Sequence, residues 1–218
     1  MKTFLTIVLT LFLSMNVFAT AQFPEKIIYN GKEYSLHSNP LEAYFEKNPD
    51  KRPKSKISSS ALWRGYVATF EVRDNQLFLK DIEIQYEDTT SNKTYPPLKW
   101  RSVIKDVFSG NKNIKIDWLT GLLVIPYGKL VDYVHMGYGS TYENYILLEF
   151  DKGNLKNEKY FEYQEYEKFK EKQFQVFKQT EEYKKIKADL QKKGRSDELI
   201  DSFLKNFIIK YTSKILTE

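Results

Sequence analysis

The chain of 218 residues contains no cysteine. Disulfide bonds are therefore excluded, although small exported domains usually depend on them. The lipid-modified export signal of bacterial lipoproteins is excluded as well, because the lipid is attached to a cysteine at the cleavage point. The chain must be held together by its own hydrophobic core, and its length is sufficient for one domain of that kind.

Histidine and the common catalytic and phosphate-binding motifs are also scarce. His37 and His135 are the only histidines, and they lack the close spacing of a zinc site. The chain has no Gly-x-Ser-x-Gly nucleophile elbow, no phosphate loop and no dinucleotide fingerprint. We therefore expect no metal and no cofactor, and assign no catalytic residue. A non-enzymatic protein is favoured, while catalysis stays an open alternative.

The one long apolar run lies at the start of the chain. Lys2 is the only charged residue before Glu25, residues 3–17 are mostly apolar, and Ala19-Thr20-Ala21 has the small-x-small pattern of a cleavage site. The run is shorter than the ~20 residues that span a bilayer. It predicts a signal peptide over residues 1–21, no transmembrane segment after its removal, and a periplasmic or secreted protein.

Charge and aromatic content narrow the choice of partner. The formal net charge is +5, from 34 Lys and Arg against 29 Asp and Glu, and both signs are dispersed along the chain. This near balance argues against nucleic acid as the partner. The 16 Tyr, 15 Phe and 3 Trp suit half-buried sheet faces and also an aromatic binding surface.

The clearest structural signal is a β-hairpin over residues 62–86. Two runs of β-forming residues flank Asp74-Asn75, which tolerate the positive φ of a tight turn. This turn sets Val72 opposite Leu77 and Phe70 opposite Leu79. The apolar positions then change parity, which predicts a β-bulge at Lys80-Asp81.

Similar patterns predict further strands and two short helices. Asn30-Gly31 centres a hairpin over residues 27–36, Lys152-Gly153 centres one over residues 142–161, and further strands are expected at 114–118, 122–125 and 129–135. Asn39 is expected to cap a helix over residues 40–47. Apolar residues from Trp100 to Phe108 follow helical spacing, which predicts one amphipathic helix ended by Gly110.

The C-terminal quarter changes to helical composition. Phe169, Val176, Tyr183 and Leu190 recur every seven residues, which predicts one long amphipathic helix up to Gly194. Ser196 is expected to cap a second helix. The fold class is therefore α+β in a single domain over residues 22–218. A mostly antiparallel sheet (27–161) with a short N-terminal helix carries a C-terminal two-helix hairpin (162–216).

The best candidate binding site is the connection YVHMGYGSTYENY, residues 133–145. It combines glycines, which allow close approach of a ligand, with flat aromatic side chains. The candidate ligand-binding residues are Tyr133, His135, Tyr138, Ser140 and Tyr142. A sharp glycine loop followed by a tyrosine-rich strand would explain the same residues without a ligand.

Two Trp-Arg pairs, at 63–64 and 100–101, contain residue types that are frequent at binding hot spots. On a strand, neighbouring side chains point to opposite faces, so Trp63 and Arg64 cannot form one patch. For this pair we expect a core tryptophan and an outward arginine.

Three functional hypotheses remain. The first is an exported, non-enzymatic protein that binds a protein or glycan partner in the cell envelope through the aromatic loop. The second is a cell-envelope hydrolase, using His135 or two of the strand carboxylates Glu71, Glu83, Asp117 and Glu149 in a deep cleft. The third is a structural component of an envelope assembly, which predicts an exposed apolar face on the terminal helices.

Overall fold

A computed structural model describes residues 21–91, 94–109, 113–135 and 137–215. The predicted signal peptide lies outside this range, apart from Ala21, as does the predicted helix stop at Gly110. Within the described residues the architecture is α+β, with a mostly antiparallel mixed sheet and a C-terminal helical region. The predicted fold class is confirmed.

The described residues form nine strands and six α-helices. The strands are β1 (Glu25–Tyr29), β2 (Lys32–Leu36), β3 (Val67–Arg73), β4 (Gln76–Glu87), β5 (Leu98–Ser102), β6 (Ile114–Lys115), β7 (Gly121–Asp132), β8 (Thr141–Asp151) and β9 (Asn154–Glu162). The helices are α1 (Glu42–Lys47), α2 (Ile104–Val107), α3 (Tyr163–Phe177), α4 (Glu181–Lys192), α5 (Asp197–Asn206) and α6 (Ile208–Tyr211).

The predicted central hairpin is β3 and β4, and its register is as expected. Val72 pairs with Leu77 and Phe70 with Leu79 across a turn in which Asp74 and Asn75 have φ of 51° and 56°. The register shifts between Thr69 and Phe70, so that β4 contains one extra residue, at the predicted bulge. The hairpins centred on Asn30-Gly31 and Lys152-Gly153 are also confirmed.

The strands follow the order β2-β1-β3-β4-β9-β8-β7, with β5 and β6 paired to β4. The pair β1–β3 is parallel. The sheet curls, and its two ends approach each other. The backbone N–H of His37, just after β2, donates to the carbonyl of Val124 in β7 (2.9 Å).

Two hydrophobic cores lie on opposite faces of β7 and β8. Side chains of β1–β4, β6 and α1 form the inner core with alternate residues of these strands, including Leu148 and Phe150. The intervening residues Tyr145 and Leu147 pack outward against α3–α6. Alternation along a strand that is buried on both faces explains the nearly continuous apolar runs in β7 and β8.

The predicted amphipathic helix from Trp100 to Phe108 is wrong. Leu98–Ser102 is strand β5, which pairs with the end of β4, and the helix α2 covers only four residues. Trp100 packs edge-on against Phe23, with ring centroids 5.8 Å apart. Pairing with a long neighbouring strand overrides the helical spacing of these apolar residues.

The strands expected at 114–118 and 122–125, which the turn at Leu119-Thr120-Gly121 would join into a hairpin, do not pair with each other. Strand β6 pairs with β4, and β7 pairs with β8. Residues 122–125 and most of the strand expected at 129–135 belong to the single strand β7. The sequence shows where strands occur, but pairing between strands far apart in sequence is a tertiary property.

The long helix expected up to Gly194 is interrupted after Phe177. Thr180 caps α4, because its hydroxyl accepts a hydrogen bond from the N–H of Tyr183 (3.2 Å). The break brings Phe174 and Phe177 together with the ring of Tyr183 in the outer core. The second expected helix, correctly capped by Ser196, is likewise divided into α5 and α6.

The two glycines of equivalent hairpin turns should respond differently to a methyl group. Gly31 and Gly153 have φ of 75° and 71°. A Cβ on Gly153 would lie 2.8 Å from the carbonyl carbon of Ile116, whereas a Cβ on Gly31 meets no atom within 4 Å.

We expect Gly31→Ala to lower the free energy of unfolding by about 1–2 kcal/mol, the cost of the left-handed backbone. Gly153→Ala should lower it by a further 1–3 kcal/mol, roughly the cost of overpacking. Urea unfolding of both variants measures the difference. Equal losses would show that the contact between the second turn and Ile116 is easily relieved.

Candidate functional site

The predicted site residues lie at the far end of the β7–β8 hairpin, in two different environments. Tyr133 and His135 are exposed, Tyr133 at 57%, and the Tyr133 hydroxyl is 2.8 Å from Nδ1 of His135. Leu130 and Val131, in the adjoining part of β7, are 49% and 54% exposed. We call Leu130, Val131, Tyr133 and His135 the ribbon tip. It combines apolar and aromatic side chains that the fold leaves uncovered.

Local hydrogen bonds hold the ribbon in shape. The hydroxyl of Ser140 accepts from the N–H of Val134 (3.1 Å) and donates to the carbonyl of the same residue (3.3 Å). The N–H of Lys129 donates to the Glu143 carboxylate (2.8 Å). Ser140 therefore closes the loop of the hairpin, in addition to being a candidate ligand contact.

Tyr138 and Tyr142 are only partly exposed and pack against His37. The Tyr138 ring stacks on the imidazole with centroids 4.7 Å apart, and the Tyr142 ring meets it edge-on at 5.7 Å. Burial lowers the pKa of His37 to about 4, so this imidazole is neutral at physiological pH. The structure thus places the predicted tyrosines on two sides of the loop. Tyr133 lies on the exposed side, and Tyr138 and Tyr142 lie on the side that packs against His37.

The hydroxyl of Tyr138 donates to the side-chain oxygen of Asn39 (2.9 Å). Burial raises the pKa of Tyr138 to about 12, with Arg64 acting in the opposite direction. The prediction that Asn39 caps the first helix is therefore wrong. Asn39 binds Tyr138, and α1 begins at Glu42 without a side-chain cap.

A cleft opens on the other side of Asn39, with a volume of about 510 Å³. Its walls come from the β2–α1 connection, the start of β7, and the segment from α6 to Ser213. Trp63 also lines it, and we call it the Trp63 cleft. Trp118 donates from its ring nitrogen to the Pro40 carbonyl (3.1 Å), which fixes one wall.

The expectation for the first Trp-Arg pair is wrong, because Trp63 is 60% exposed and Arg64 is 2% exposed. Both residues lie in a turn before β3 rather than on a strand. The Arg64 guanidinium carbon lies 5.9 Å from the centroid of the Trp63 ring. Arg64 therefore supports the exposed indole from the protein side.

Arg64 is buried because it forms an ion pair with Glu25, whose side chain is also buried. Nε of Arg64 donates to Glu25 (3.1 Å), and Nη2 donates to the carbonyl of Phe23 (2.6 Å). The second oxygen of Glu25 accepts from the N–H of Ala68. Burial raises the pKa of Glu25 from 4.5 to about 7, against the opposing effect of Arg64.

The residues proposed for hydrolysis are not assembled in a cleft. Glu71 pairs with Lys80 (3.2 Å), Glu83 pairs with Lys26 (3.6 Å), and Glu149 accepts from the N–H of Ile215 (2.8 Å). Asp117 is exposed on a turn, and His135 lies on the ribbon tip. No group of three potential metal ligands occurs among the described residues.

Sequence reasoning missed Trp63, Asn39 and the Glu25–Arg64 pair. The Trp-Arg dipeptide was a signal, but which of its two side chains is buried depended on whether the pair lay on a strand or in a turn. Gly65, with φ of 79°, marks the turn. A glycine next to the pair could therefore have indicated that the rule for strands does not apply.

Removing Arg64 should leave a buried carboxylate without its cation. We expect Arg64→Met to lower the free energy of unfolding by about 3–5 kcal/mol at about pH 8. The same substitution at Arg73, which is exposed and pairs with Glu71 at 3.7 Å, should cost less than about 1 kcal/mol. Chemical denaturation of both variants makes the comparison.

The Arg64→Met deficit should depend on pH. Glu25 has a folded-state pKa above its unfolded value, so its contribution to stability is fully present below about 4.5 and is lost as the pH rises through about 7. Without Arg64 this pKa rises further. The deficit should therefore be smaller at about pH 5 than at about pH 8, and a deficit that does not change with pH would contradict the assigned pairing.

Comparisons with known proteins add no family to these observations. No protein-family model, no curated protein and no solved structure matches the chain. Within the described residues, no helix is long and apolar enough to cross a membrane.

Proposed function

We propose that this is an exported, non-enzymatic binding protein, periplasmic or secreted, whose ribbon tip binds a protein partner. The observation that carries the proposal is the shared exposure of Leu130, Val131 and Tyr133 at the end of one hairpin. Isolated exposed apolar side chains are common on protein surfaces, but several of them within one short segment are typical of an interaction site.

The backbone of the ribbon suggests how the partner binds. Strand β7 is the last strand in the sheet order, and β8 is its only ladder partner in the part of the chain that the structure describes. All five residues from Gly128 to Asp132 are exposed. An extended segment of a partner could add to this edge, with apolar side chains that cover Leu130 or Val131.

The test uses a Leu130→Ser, Tyr133→Ala double variant, with Tyr95→Ala as the matched control. Tyr95 is 88% exposed and lies on a different loop. A partner captured from envelope extract is identified, purified and titrated against each protein. We expect about tenfold or greater loss of affinity in the double variant and none in the control.

Hydrogen exchange provides the second measurement. Partner binding should slow exchange of those backbone amides in residues 128–133 that face away from β8, because an added strand accepts hydrogen bonds from that edge. Equal affinity in the double variant and the control, or protection confined to another surface, would reject the ribbon tip as the binding site. Failure to retain any partner would also count against the proposal.

A specific observation favours the structural-component hypothesis as a second candidate. Leu199, Phe203 and Phe207 follow one another at intervals of four residues along α5 and its C-terminal end, and they are 51%, 43% and 40% exposed. The rings of Phe203 and Phe207 are 5.0 Å apart. This is the apolar helix face that an assembly role predicts.

If this face joins an assembly, Phe203→Glu should shift the protein from a high-mass complex to its free form in native gels of envelope extract. Leu98→Glu is the matched control, since Leu98 is 49% exposed on β5. Burying a charged carboxylate in an apolar contact is costly, whereas the control places the charge in solvent. Unchanged migration of the Phe203→Glu variant would reject the assembly role.

A further inference from the structure

The Trp63 cleft is a second potential binding site, separate from the ribbon tip. Its volume of about 510 Å³ lies within the range of about 300–1,000 Å³ that is usual for small-ligand sites. Its walls are well anchored. Ser38 accepts from the N–H of Val124 (3.1 Å), and Gln173 donates to Thr212 (3.0 Å) on the opposite wall.

Trp63 provides a flat apolar surface at this cleft. Its indole is 60% exposed, while the Arg64 guanidinium lies over the ring on the protein side. An aromatic side chain with an open surface beside polar groups is suited to a ligand that has both apolar and polar edges. Sugar rings have this character, because their C–H faces are apolar and their hydroxyl groups lie around the rim.

The remaining lining supplies both donors and acceptors of hydrogen bonds. Asn39 uses its oxygen to accept from Tyr138, and its amide nitrogen is a donor on the same side chain. Lys210 and Ser213 can donate, and the Glu46 carboxylate can accept. Because each sugar hydroxyl both donates and accepts, this mixture suits a polyhydroxylated ligand.

The charge of the lining argues against a strongly charged ligand. Glu42 is compensated, since its carboxylate accepts two hydrogen bonds from Arg52 (3.1 and 2.8 Å) and one from the hydroxyl of Tyr66 (2.7 Å). The lining also carries Glu46 and Glu182 together with Lys210, which leaves an excess of only one negative charge.

We infer that the Trp63 cleft binds a neutral carbohydrate, with Trp63 stacked on a sugar ring and Asn39 among the groups that bind its hydroxyls. The site goes beyond the proposed protein partner, because its residues are distinct from the ribbon tip. The two proposals can therefore fail independently.

The test is isothermal titration of protein purified from cells that express the full chain. The probes are soluble neutral tetrasaccharides of glucose and of N-acetylglucosamine, with tetralysine as the cationic alternative. We expect at least one tetrasaccharide to bind and tetralysine not to bind. Trp63→Ala should weaken sugar binding by about tenfold or more, and Trp63→Phe should retain part of it.

Two controls separate the cleft from other surfaces. Trp100→Ala removes a tryptophan that is 37% exposed and packs on Phe23, outside the cleft. The Leu130→Ser, Tyr133→Ala variant removes the ribbon tip. Both should bind the sugar normally. Absence of sugar binding, tetralysine binding in its place, or equal affinity in Trp63→Ala would overturn the inference.

Discussion

Strands β7 and β8 must be covered on both faces, and the rest of the fold depends on this requirement. Leu147 and Leu148 are consecutive and fully buried, yet they belong to the outer and inner cores respectively. Alternate side chains of one strand point to opposite faces, so neither core alone could bury both. The curled N-terminal strands cover one face and the C-terminal helices cover the other. Strands β7 and β8 therefore need both the N-terminal strands and the C-terminal helices to bury their side chains.

This arrangement also places the candidate sites. Helix α6 lies on β7, with Ile208 and Ile209 buried in the outer core. The segment after it is held by Gln173, which donates to the Lys214 carbonyl (2.6 Å), and by Glu149. The β2–α1 connection reaches the same strand through His37. The Trp63 cleft is the gap between the β2–α1 connection and the segment that follows α6.

The loop after β7 connects the cleft with the ribbon tip. Its exposed side carries Tyr133 and His135, and its packed side carries Tyr138, which binds Asn39 and stacks on His37. A substitution of Tyr138 would therefore disturb the cleft wall and the ribbon together. Tyr133 and Trp63, which are exposed and separate, are the informative positions for distinguishing the two surfaces.

Sequence patterns predicted features that depend on neighbouring residues. The turn residues Asp74 and Asn75 determined the register of β3 and β4, because positive φ and alternation are local properties. The same reasoning failed for Trp100, whose helical spacing is overridden by pairing with β4. It also failed for the long helix expected up to Gly194, because Thr180 caps a new helix within that range. The cleft could not be predicted, since Asn39, Trp63 and Ser213 meet only through tertiary packing.

Trp63 is exposed beside a neighbour that is buried. Arg64 must point inward to reach Glu25 and the Phe23 carbonyl, and its neighbour in the turn, Trp63, is left 60% exposed. This constraint fixes where the side chain lies but not which residue occupies the position. The contact between the buried guanidinium and the half-exposed indole is worth about 0.5–2 kcal/mol. This contact covers only one side of the indole, and the ring lines a polar cleft, which is why we assign Trp63 to ligand binding.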